Sequence, residues 1–151
     1  MTQNNKPDIL PGDSHRSGIS TTLWLLDRML CETEEYACGR EVHSIFYIER
    51  NTLSADKKVS LLAEISQMRD LLKELKSGLG LEAQIEDIGR NIWGKFSLFW
   101  EVLMETTSRY LKRYGEPPPG LAEYLDPRIE ILIRHLRNIR DLARGDDQEE
   151  H

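Results

Sequence analysis

Between Leu81 and Tyr114 apolar residues recur at spacings of three and four: Ile85, Ile88, Ile92, Trp93, Phe96, Phe99, Trp100, Leu103, Tyr110 and Tyr114. That is the period of one face of an α-helix. Thr107 is the main polar interruption, and Gly89 is small enough to admit a close neighbour. A helix with a dry aromatic face is built for packing.

The rest of the chain reads as helices to pack against it. A second helix is predicted from Ser54, its cap, with Leu53 in the staple position. Its seam is Leu61, Ile65, Met68, Leu72 and Leu75, a 4-3-4-3 pattern. Gly78, in the run Ser77 to Gly80, is the expected left-handed terminator. A first helix is predicted from near Gly18, capped by Ser17 or Ser20, to Arg50. Val42, Ile45, Phe46, Tyr47 and Ile48 are strand-like in composition, so a break at Gly39 is the alternative. Helix is preferred because a lone strand would have no partner. The third helix ends at Gly115, and Pro117 to Pro119 form a stiff connector. Asp126-Pro127 reads as the start of a fourth helix running to about Arg144. The predicted fold is all-α: an antiparallel, up-down-up-down bundle of four main helices, two long and two shorter. A disordered lead over 1–17, one domain over 18–144 and an acidic disordered tail over 145–151 complete the expected organisation.

The first helix has more apolar surface than one bundle can cover. Ile19, Leu23, Leu26, Leu30 and Ala37 make one stripe, and Leu25, Met29, Tyr36 and Tyr47 make a second. Trp24, Val42 and Phe46 lie on neither. A second copy of the chain is the simplest cover. The expected dimer interface is therefore Leu25, Met29, Tyr36 and Tyr47, with His43 at its rim.

The formal charge of −6 disfavours nucleic acid and anionic lipid as partners. No apolar run approaches the roughly 18–20 residues that span a bilayer. The polar N-terminus lacks the layout of a signal peptide, so a cytoplasmic protein is expected. Cys31 and Cys38, seven apart on one helix, sit about 10 Å apart along its axis. That is too far for a disulfide, and both are expected to be reduced apolar fillers.

Candidate chemistry is sparse. Asp27, Glu34 and Glu41 recur every seven residues beside the first stripe. Glu34 and Glu41 are the candidate polar site, though pairing with Lys or Arg of a neighbouring helix is the plainer reading. Di-iron bundles need Glu-x-x-His pairs, whereas Glu130 and His135 are five apart and Glu41 and His43 two. His135-Leu136-Arg137-Asn138 lacks the acidic residue and the proline of a sensor-kinase box. Arg134, Arg137, Arg140 and Arg144 share one flank of the fourth helix and are the candidate anion contact, diluted by Glu130 and Asp141. No phosphate loop, nucleophile elbow or metalloprotease motif is present in the sequence. No cofactor, metal or catalytic residue is expected. The first expectation is a non-enzymatic protein acting through protein–protein contact, as a homodimer or an adaptor. The alternatives are a small-molecule pocket lined by Trp93, Trp100 and tyrosines, and phosphate or nucleic-acid contact through the arginines.

Overall fold

The computed structural model describes residues 10–144. They form five α-helices, a 3-10 turn and one two-stranded hairpin, so the chain is all-α apart from that hairpin. Residues 1–9 and 145–151, where most of the lead and the acidic tail were expected, lie outside the described residues. Packing divides the chain into two compact units, Met1–Gln84 and Ile85–His151, where the sequence suggested one bundle. No helix among the described residues is long and apolar enough to cross a membrane.

The first unit pairs α1 (Asp13–Ala37) with α2 (Ala55–Gly78). Glu34 meets Arg69, and Trp24 shares a cleft with Lys73 and Lys76, so the helices run antiparallel. α1 begins five residues before the expected Gly18. Gly12 takes the extended cap conformation and Asp13 faces the positive helix end. The larger correction is at its other end. α1 stops at Ala37 and does not continue to Arg50. Gly39 adopts φ +96°, and the Gly39 and Arg40 amides donate back to Tyr36 and Glu35. That pair of bonds is a Schellman motif, which only a left-handed residue can close. The strand-like run then finds its partner in itself. β1 (Val42–His43) pairs antiparallel with β2 (Ile48–Glu49), Val42 opposite Glu49 and His43 opposite Ile48.

α2 begins as the sequence predicts, with the Ser54 hydroxyl accepting from the Lys57 amide at 3.3 Å. Its terminator is Gly80 at φ +62° and not Gly78, which is the last helical residue. The Leu81 amide reaches the Lys76 carbonyl at 2.9 Å. Leu30, Ala37, Ile65 and Leu81 are the buried apolar side chains here.

In the second unit the expected helix over 81–114 is broken. α3 spans Ile88–Met104, α4 spans Ser108–Leu111, and Lys112–Tyr114 is a 3-10 turn. Asp87 sets the start by accepting from the Arg90 amide at 2.7 Å. Thr106 and Thr107 end the helix, their hydroxyls donating to the Val102 and Met104 carbonyls. Thr107 takes an extended backbone, and Ser108 turns to Asp126, which accepts from its amide at 2.8 Å and its hydroxyl at 2.6 Å. Asp126-Pro127 is therefore not a helix start. α5 spans Leu121–Ala143, with Pro127 inside it and Gly120 before it at φ +88°. The spare acceptor Asp126 caps α4 instead of its own helix.

α3 and α5 pack antiparallel. Trp93 lies under Arg144 and Trp100 under Arg137. Gly89 is the point of closest approach, as the sequence suggested: a Cβ there would stand 2.5 Å from the Ala143 carbonyl oxygen. The buried apolar residues are Ile129, Ile133 and Leu136, all on α5. No residue of α3 is buried.

Candidate functional site

The hairpin is braced by several side-chain contacts at its base. Its four-residue loop, Ser44 to Tyr47, is closed by the Ser44 amide donating to the Tyr47 carbonyl at 3.0 Å. Asn51 clamps its base. One side-chain amide donates to the Tyr36 and Arg40 carbonyls at 2.7 and 3.2 Å. The Asn51 backbone donates to the Glu41 carboxylate at 3.0 Å. Arg40 bridges Glu35 and Glu49 and covers the Tyr36 ring. The Tyr36 hydroxyl donates toward Glu32 at 3.1 Å and Glu49 at 3.4 Å. Its phenol is held above its ordinary pKa, first by the Glu32 bond and then by desolvation.

This bracket presents bare apolar side chains. Ile45 is 91% exposed and Phe46 98%. Tyr47 and Ile48 are also exposed. Ile45 and Phe46 read as helix, or as strand, in the sequence, and nothing there gave Asn51 a part in holding them. The β-branched and aromatic residues between Gly39 and Asn51 are a strand signal, but no turn sequence divides them into two strands.

The predicted interface residues divide between two elements. Leu25 and Met29 lie exposed on the outer face of α1, with half-buried Tyr36 further along it. His43 and Tyr47 belong to the hairpin and not to a helical stripe. Tyr36 joins the two groups through its bond to Glu49.

The polar candidates are not brought together. Glu34 is ion-paired to Arg69, whose other nitrogen lies 3.8 Å from the Cys31 sulfur. Glu41 stands beyond the helix end, 3.6 Å from His43. The Asn51 amide, and after it His43, hold the Glu41 carboxyl below its ordinary range. Among the described residues no three His, Cys, Asp or Glu side chains cluster as metal ligands. Cys31 and Cys38 are free, and both are exposed where buried fillers were expected. Of the arginine flank, Arg137 and Arg144 lie over Trp100 and Trp93, and Arg140 pairs with Asp141 at 2.9 Å. Arg134 stands exposed on the same helix. The two tryptophans thus carry guanidinium groups on their ring faces.

The second unit has a groove of about 500 Å³ between α3 and α5. Phe96, Phe99 and Leu103 form one wall, and Leu132, Leu136 and Ile139 the other. Lys95 and His135 are its polar members. It is an apolar trough with no convergent set of polar groups, unlike a small-molecule site. No family model, curated protein or solved structure matches this chain.

Proposed function

We propose that this protein acts through protein–protein contact, as a self-associating helical module without catalysis of its own. One observation carries the reading. α3 holds three charged residues among seventeen, yet none of its residues is buried. Leu98, Phe99 and Val102 are all exposed on it, Leu98 by 75%. Apolar side chains left uncovered on a helix in this way mark interaction surfaces. The outer face of α1 adds Leu25 and Met29, continued through Tyr36 to the hairpin. A second copy can cover such patches by two-fold symmetry with no other component.

The polar groups support the same reading, since Glu34, Glu41, Arg40 and Arg69 are paired with one another or with neighbours. Arginines stacked on tryptophan leave little of that flank to grip an anion. Two free thiols suit a reducing cytoplasm.

Light scattering at tens of micromolar protein tests the proposal. A dimer is the expected species, and Met29→Glu is expected to shift it toward monomer with helicity unchanged. A wild-type monomer overturns self-association.

A further inference from the structure

We propose that the cleft between α1 and α2 binds a small amphoteric molecule with a flat apolar body, of the class of the aromatic amino acids. The cleft lies wholly within the first unit, and its volume is about 360 Å³, toward the small end for a ligand site. The inference goes beyond self-association and does not depend on it.

Helical spacing builds both walls. Ser20, Leu23, Trp24 and Asp27 occupy successive turns on one face of α1, and Arg69, Leu72, Lys73 and Lys76 do the same on α2. The left-handed turn at Gly80 carries Leu81 to Gln84 back to the cleft, where Leu81 is buried. Leu23, Leu72 and Leu81 make an apolar bed beside the Trp24 ring. Arg28, which is not part of the lining, lies over that ring at 5.2 Å from its centroid and steadies it.

Charge decides the chemistry of the ligand. Lys73 and Lys76 stand on α2, Asp27 on α1, and Glu82 on the segment after Gly80. Among the described residues none of these four is ion-paired, whereas Arg69 spends its charge on Glu34. Two ammonium groups and two carboxylates thus line one apolar cleft with both signs unmatched. A simple anion such as phosphate gains little there, because the acids repel what the lysines attract. A molecule with one charge of each sign satisfies both. Its carboxylate meets Lys73 or Lys76, its ammonium meets Asp27 or Glu82, and its ring lies against Trp24 and the leucines. An aromatic amino acid has that make-up.

Isothermal titration calorimetry on the full chain tests this with three probes. They are L-phenylalanine, 3-phenylpropionate, which lacks the ammonium, and 2-phenylethylamine, which lacks the carboxylate. L-Phenylalanine is expected to bind with a Kd below about 1 mM. It should bind about tenfold tighter than either of the others, the loss of one charge-assisted hydrogen bond. Two double variants locate the site: Lys73→Gln with Lys76→Gln, and Asp27→Asn with Glu82→Gln. All four side chains are exposed, so far-ultraviolet circular dichroism should show unchanged helicity. Each double variant should weaken L-phenylalanine by about tenfold or more; if one loses helicity, the other still decides. No binding of L-phenylalanine at millimolar concentration overturns the site. Equal affinity for 3-phenylpropionate makes the cleft a plain anion site and overturns the amphoteric reading. Binding kept by a folded double variant overturns the assignment to this cleft.

Discussion

Asp126 shows how one residue can be read correctly and still be misplaced. An acid before proline is a good helix start, and the sequence offers no sign of a better use. In the fold its carboxylate accepts both donors of Ser108 and opens α4. The hydroxyl first, then the amide, hold the carboxyl below its ordinary value of 3.8. A carboxyl depressed in the folded state stabilises at pH values above its unfolded pKa, and the gain is lost as pH falls through the folded value. Asp126→Asn should therefore lower the melting temperature at neutral pH, and the gap to wild type should close as pH falls below about 4. Thermal melts at several pH values check this; a gap that persists in acid would assign the effect to shape alone. Ser54 was legible because a cap is local, with its partner three residues away. The partner of Asp126 lies 18 residues away, and no spacing rule reports it.

At the scale of elements, spacing told which residues share a face but not where each helix stops. The 3.6-residue period continues through Gly39 and Thr107 because apolar residues lie on both sides of each break. What ends the helices is backbone conformation: left-handed glycine after α1 and α2, and threonine hydroxyls after α3. Gly78 and Gly80 make this testable. Gly80→Ala should destabilise the protein by about 1 kcal/mol, the cost of an L side chain in left-handed geometry. Gly78→Ala, at the last helical position, should instead stabilise it, by less than about 0.5 kcal/mol. Urea denaturation of both variants gives the answer, and effects of equal sign would mean the terminator has been misassigned. The hairpin escaped the sequence reading for a related reason. Pairing of a short run with itself needs a reversal, and Ser44 to Tyr47 contain none of the glycine, asparagine or aspartate signals that usually announce one.

For the whole molecule, periodicity identified four main helices but not their grouping. A helix face carries no label for the helix that covers it, so one bundle and two helix pairs look alike in sequence. The division falls in a segment of exposed, irregular chain from Glu82 to Asp87. A glutamate-specific protease should therefore cut first at Glu82 or Glu86, leaving two fragments of comparable size. Mass spectrometry at short digestion times identifies the sites, and first cleavage within α2 or α5 would count against this division. The candidate surfaces were only half visible. Leu25 and Met29 stood out by spacing along α1, whereas the tip residues could not, because their prominence comes from the hairpin bracket.

That bracket separates two demands that most residues must meet together. Ile45 and Phe46 touch almost nothing of their own chain, so exchanging them leaves the fold close to its original stability. Tyr36, Arg40 and Asn51 hold the loop by its ends and take no part in its tip. Positions 45 and 46 can accordingly be randomised as a display tip, with nearly every member of the library expected to stay folded. In a lineage of such proteins the same two positions are where binding preference can drift while folding is left undisturbed.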